Sequence, residues 1–154
     1  MRRHDREVRD NTEIESIISR SDVCRIAFAD NNIPYIVTLN FGYTGGDKPC
    51  LFFHCAPEGR KIELIGKNNY VCFEMDTDHM LFKGHKGCDW GMKYSSVVGY
   101  GRISIVPHPE EKKRGLDSIM SHYADRSDFT YDEKIFSHTA VLRLDIEEIT
   151  AKKK

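Results

Sequence analysis

Apolar positions along this chain change period several times, and each change marks an element. Ile14, Ile17 and Ile18 recur at helical spacing behind Asp10-Asn11-Thr12, which predicts a short helix with Thr12 and Glu15 as a capping box. Ser21-Asp22 ends it. Residues 23–29 alternate as a strand, with Cys24, Ile26 and Phe28 on one face, Val23, Ala27 and Ala29 on the other, and Arg25 as the one charged member. Asp30-Asn31-Asn32 tolerates left-handed backbone and predicts a hairpin into a β-branched, aromatic strand over 33–43, with Pro34 marking its start or a sheet edge. Thr44-Gly45-Gly46-Asp47 closes a second hairpin onto a strand over 50–55. A helix over 57–66, stopped by Gly66, and a strand over 70–76 follow.

Periodicity disappears over 77–91 and returns as a long strand over 94–107, where Gly99 and Gly101 suggest a bulge or a close backbone contact. Pro109-Glu110-Glu111 opens a helix with Leu116, Ile119, Met120 and Tyr123 on its buried face. A helical turn near 132–136 and a strand over 139–145 complete the chain. The order lacks a β–α–β rhythm, so a parallel sheet is not expected. A mostly antiparallel barrel with a few covering helices fits, and 154 residues suit one domain spanning 1–154.

Composition narrows the class. Lys and Arg number 23 against 24 acidic residues, a net charge of -1, so no global field favours nucleic acid or an anionic membrane. The basic ends, Met1-Arg2-Arg3 and Lys152-Lys153-Lys154, read as solubilising tails. No apolar run approaches the roughly 18 residues that span a bilayer, and the N-terminal stretch lacks a signal peptide's apolar centre. Five cysteines, an odd number without a C-x-x-C pair, fit a reducing cytoplasm.

Candidate chemistry concentrates where the strand over 50–55 gives way to the next helix. Phe53 and His54 end the strand, a Pro/Gly turn follows, and Arg60-Lys61 open the helix. A helix N-terminus offers free N–H groups and partial positive charge, so this turn reads either as a phosphate seat or as an ordinary connection with a solvated basic pair. Thr38 and Asn40 interrupt the apolar run of Val37-Thr38-Leu39-Asn40, and Tyr94-Ser95-Ser96-Val97 places three hydroxyls in succession. Both stretches fit either a ligand site or exposed strand faces. His79, His85, Cys88 and Asp89 share the irregular stretch, but their spacing matches no standard finger and no metal is expected. Asp125, Asp128 and Asp132 lack the glycine and terminal glutamate of a calcium loop.

Taken in order, residues 34–41 (PYIVTLNF), 53–61 (FHCAPEGRK), 94–101 (YSSVVGYG), 109–112 (PEEK) and 139–150 (TAVLRLDIEEIT) resemble the nitroimidazole-resistance (Nim-type) branch of the pyridoxamine 5'-phosphate oxidase-like flavoproteins. That resemblance implies a Greek-key, FMN-binding split β-barrel, a homodimer with flavin at its interface. It implies Arg60 and Lys61 on the flavin phosphate and Val37, Thr38, Leu39 and Asn40 along the isoalloxazine. It implies Phe53 and His54 beside the ring, Ser95, Ser96 and Val97 reaching the cofactor across the dimer, and His54 near the substrate. FMN is expected, with FAD open.

The oxidase's Arg-x-Val-Leu-Leu-Lys strand and C-terminal Trp/Arg segment are absent, so pyridoxamine phosphate oxidation is not expected. The implied activity is a flavin-dependent reduction of a small, nitroaromatic-like electron acceptor by a nicotinamide donor, with His54 as the catalytic residue that donates a proton to the acceptor or hydrogen-bonds it. A flavin- or haem-binding storage or sensing protein without turnover, and a cofactor-free dimeric interaction domain, are the alternatives.

Overall fold

The computed structural model describes residues 3–126 and 128–154; Met1 and Arg2 of the predicted basic tail lie outside them. β1 (Glu7–Val8) leads into α1 (Asn11–Arg20), whose Ile14, Ile17 and Ile18 are buried. Burial of each contributes roughly 1.5–3 kcal/mol, which seats a helix too short to stand alone. The predicted Thr12–Glu15 capping box is not formed. Asp10 is the N-cap and accepts from the Thr12 amide at 3.4 Å, which frees Glu15 to accept from the Tyr43 hydroxyl at 3.1 Å.

β2 (Cys24–Asp30) and β3 (Ile33–Leu39) form the predicted hairpin, with Asn31 at φ 49° and Asn32 at φ 67°. Two successive left-handed residues give a turn whose twist matches the strands. The predicted strand over 33–43 is in fact two. Asn40-Phe41 breaks it, and β4 (Gly42–Thr44) pairs instead with β5 (Cys50–Cys55). Then come α2 (Arg60–Lys67), β6 (Tyr70–Phe82), β7 (Gly91–Ile105), α3 (Pro109–Tyr123), α4 (Glu133–Ser137) and β8 (Ala140–Lys153).

Every pairing is antiparallel, in the order β3-β2-β6-β7-β8-β5-β4, with β1 added to β8. The two edges, β3 and β4, are consecutive in the chain. The sheet therefore curls until its edges approach at Asn40-Phe41 without closing by hydrogen bonds, which makes a split barrel. Phe28, Phe41, Phe53 and Phe73 fill its interior. A second, smaller core lies outside, where α3 sets Ile119 against Phe52 and Val141.

Two strands outrun their predicted ends. Residues 77–82 continue β6 against β7, past a register shift at Thr77/Met80 and a left-handed Asp78. Met80 and Leu81 are exposed, so the burial alternation that reveals a strand is missing there. β8 continues past a register shift at Tyr100/Gly101, where Glu147 of β8 is the extra residue opposite the glycine-bearing strand. Lys152–Lys154 are consequently not a free tail. Lys153 pairs with Glu13 at 2.9 Å, while Lys152 and Lys154 lie over the Tyr94 and Phe82 rings.

Of the predicted buried face of α3, Ile119 is buried, Leu116 and Met120 are half-buried, and the Tyr123 ring is exposed. Tyr123 works through its hydroxyl, which donates to Asp22 O at 2.8 Å and accepts from the Phe41 amide at 3.1 Å. It thereby holds the crossing between β3 and β4. Tyr123→Phe is expected to cost about 1–2 kcal/mol, seen as a lower urea midpoint with an unchanged m-value.

Candidate functional site

The turn after β5 is built to leave a helix N-terminus open. Gly59 is the N-cap of α2 at φ 111°, and no side chain caps the helix. Its carbonyl accepts from the Ile62 and Glu63 amides, so the amides of Arg60 and Lys61 have no acceptor within the helix. Among the described residues neither Arg60 nor Lys61 forms a salt bridge. The Arg60 guanidinium lies 4.8 Å from the centroid of Tyr35 on β3, which braces it beside that edge strand. Leu64, Ile62 and Ile65 dock the helix on the interior, as their spacing predicts.

The other predicted site residues divide by face. Val37 and Leu39 pack toward the core, whereas Thr38 and Asn40 are exposed on the outer side. Phe53 and Val97 are both 0% exposed. Neither can touch a ligand in this conformation, because strand alternation turns Phe53 inward where it turns His54 outward, and Val97 inward between Ser96 and Val98. They support the site from behind.

Ser95 and Ser96 are buried, and their hydroxyls have no hydrogen-bond partner among the described residues. Asp78 borders Ser95 across a shallow cleft and is an acceptor toward which the Ser95 hydroxyl can turn. Alternation along β7 turns Ser96 to the outer face with Val98 and Tyr100 and Ser95 to the inner face with Val97, so the two hydroxyls do not share one site. They do not meet His54 within one chain. Ser96 pairs with Lys152 near one end of the β7–β8 ladder, and Ile105 with Leu142, beside the partner of His54, near the other. At about 3.3 Å per residue the two ends lie roughly 30 Å apart along the strands.

His54 opens instead into a chamber of about 340 Å³ that the sequence did not reveal. Leu116, Ile119 and Met120 of α3, Tyr131, and Ile135 and Phe136 of α4 form its walls. Asp132 caps α4, accepting from the Ile135 amide at 2.9 Å, rather than serving a calcium loop. Lys112 donates to the Phe136 carbonyl and ties α4 to α3. The Tyr131 hydroxyl donates to Asp117 at 2.9 Å; burial, then that bond, pushes its pKa up and keeps the phenol protonated. The helical spacing of Leu116 and Met120 and the aromatic residue in the 132–136 turn were the available signals.

The outer face of the sheet carries its own charges. Arg25 contacts Glu74 at 2.9 Å and Asp76 at 2.7 Å, and His79 contacts Asp76 at 2.9 Å. Burial opposes ionisation of Asp76, but hydrogen bonds from Arg25 and His79 outweigh it and hold its pKa below the usual carboxylate range. His79 is thereby engaged on β6, away from Cys88. Among the described residues no three His, Cys, Asp or Glu side chains could hold a metal ion, and no helix is long and apolar enough to cross a membrane.

Comparison with known proteins gives a consistent pattern. A family model described as pyridoxamine 5'-phosphate oxidase matches residues 10–153. A candidate 5-nitroimidazole antibiotic resistance protein from Bacteroides thetaiotaomicron is 32% identical, with a TM-score of 0.83 over 96% of this chain and 86% of that one. The flavocytochrome Anf3 of Azotobacter vinelandii superposes at TM-score 0.83 with 16% identity, over 100% of this chain and 72% of that one. An FAD and heme binding protein from Mycobacterium smegmatis superposes at 0.84 with 13% identity, over 97% and 73%. These last two share the fold. No curated protein matches the chain.

Proposed function

Because the chain belongs to the pyridoxamine 5'-phosphate oxidase-like family, in its nitroimidazole-resistance branch, we propose that it binds a flavin, FMN by preference, and reduces small nitroaromatic-like compounds. The observation that carries this reading is the open N-terminus of α2 with Arg60 and Lys61 free of ion pairs. Two cations and two unengaged amides suit a phosphate monoester. FAD would use the same seat for its phosphate.

A homodimer completes the site. Ile36, Tyr70 and Tyr100 are exposed on the outer face of the sheet, with the two tyrosine rings stacked 6.2 Å apart. A two-fold axis there gives the face a partner and brings the Ser96 hydroxyl of one protomer, on the same face as Tyr100, toward the ligand seat of the other. Thr38 on the outer side of β3 and Asn40 just past its end then face the carbonyls and ring nitrogens of a planar heterocycle.

A bound flavin supplies two-electron and one-electron transfer chemistry to this site. The residues supply the rest. The apolar walls of the chamber suit an aromatic acceptor, and His54 orients it and delivers a proton to its oxygen. Overall a nicotinamide donor loses two electrons, and a nitro group takes them with two protons to give a nitroso group and water.

His54→Ala is expected to keep the flavin while losing about 100-fold or more in the nitroaromatic reduction rate. Steady nicotinamide-dependent turnover of a nitroimidazole by the flavin-loaded protein tests the activity itself. Stoichiometric binding with negligible turnover would move the protein to a storage or sensing role.

A further inference from the structure

Beyond Thr77 the β6–β7 hairpin leaves the barrel as an arm. Its large side chains are bare: Met80, Leu81, Trp90 and Met92 are 59%, 53%, 46% and 40% exposed. The arm is nevertheless rigidly built. The Trp90 indole N–H donates to Gly84 O at 2.8 Å, and the Lys86 amide donates to Asp89 at 3.1 Å. At Gly84 a Cβ would collide with Asp89, so the turn admits little else there. An exposed aromatic pinned in one orientation is the anchor of an interface rather than an accident of a loose loop.

The chamber beside His54 has apolar walls and a net charge opposite in sign to the arm's. It is open to solvent at its α4 side, where Ile135 is 69% exposed. The chain around it carries Asp117, Asp125, Asp128, Asp132 and Glu133 against Lys112, Lys113, Arg126 and Lys134, a net of -1, whereas the arm carries Lys83, Lys86 and Lys93 against Asp78 and Asp89, a net of +1. Arm and chamber lie at opposite ends of the β7–β8 ladder, so an arm cannot reach its own chamber. A two-fold axis crossing the outer face near Val98 and Tyr100, perpendicular to the strands, carries each arm onto the other protomer's chamber.

We propose that the β6–β7 arm of one protomer closes the His54 chamber of its partner, seating Trp90 against Ile135 and Phe136. The acceptor site is then shared between subunits and its depth is set by Trp90. The proposal rests on the dimer reading above, and its test separates the two.

Trp90 is the only tryptophan, so its emission reports the arm alone. Iodide quenching of Trp90 in the flavin-loaded full chain is measured alongside the mass from light scattering. A dimer with Trp90 shielded, and severalfold more quenching in Ile135→Arg at unchanged dimer mass, is the expected result. Mixed chains carrying Cys88→Ser with either Trp90→Cys or Ile135→Cys should also form an intersubunit disulfide on oxidation, which neither chain forms alone. A dimer in which Trp90 is freely quenched and no such disulfide forms would overturn the arm proposal and leave the dimer standing. A monomer would overturn both. A monomeric Trp90 shielded only by anionic phosphatidylglycerol vesicles would reassign the arm to a lipid surface.

Discussion

The Arg60→Ala/Lys61→Ala double variant is expected to purify colourless and to bind added FMN about 10²- to 10⁴-fold more weakly than the parent. The range follows from two charge-assisted contacts at about 1.5–3 kcal/mol each. The fold should persist, because neither side chain enters an ion pair and α2 is held by Leu64, Ile62 and Ile65. Circular dichroism and a thermal midpoint within a few degrees of the parent would confirm that the loss is local. A double variant that stays folded and keeps full FMN affinity would show that α2 does not hold the phosphate. Tyr35 gives a secondary readout, since Arg60→Ala removes the cation from its ring and should increase its exposure.

Gly101→Val is expected to destabilise the protein by about 3 kcal/mol or more, with little soluble product at 37 °C. A Cβ at Gly101 would run into the carbonyl oxygen of Asp145, a backbone atom that no rotamer change can move. The same position carries the register shift between β7 and β8, so relief would have to come from one of the two long ladders of the sheet. Gly46→Ala makes the control. Its Cβ meets nothing within 4 Å, and its cost should be limited to the strain of a left-handed turn at φ 97°. Urea denaturation of the two variants side by side checks both; equal stability would contradict the close approach at Gly101.

Where one face of an element is buried, the sequence was sufficient. Cys24, Ile26 and Phe28 alternate into the interior as their pattern predicts, and Asn31-Asn32 makes the hairpin turn. Gly99 and Gly101 pointed to a bulge or a close backbone contact, and β8 supplies both, with Glu147 as the extra residue and β8 backbone carbonyls against the two glycines. The split at Asn40-Phe41 was hidden because aromatic and β-branched residues continue on both sides of it, and local propensity carries no mark of which edge a strand joins. Residues 77–82 were hidden for the opposite reason. Both of their faces meet solvent, so pairing rather than burial makes them a strand.

The candidate site was legible only where its residues are contiguous. Arg60-Lys61 behind Gly59 could be read from one line of sequence. The chamber could not, since His54, Leu116, Tyr131 and Phe136 come from four separate segments that only the packing of α3 and α4 brings together. Phe53 and Val97 show the converse limit. They lie inside site-like stretches, yet alternation turns both into the core.

The most direct test of flavin binding is the visible absorption spectrum of the purified protein, followed by mass analysis of the small molecule that heat releases. Bands of oxidised flavin, with released FMN and no such bands in the Arg60→Ala/Lys61→Ala variant, are the predicted result. A protein that is colourless and ignores added FMN and FAD, or one whose only chromophore is a haem Soret band, would contradict it.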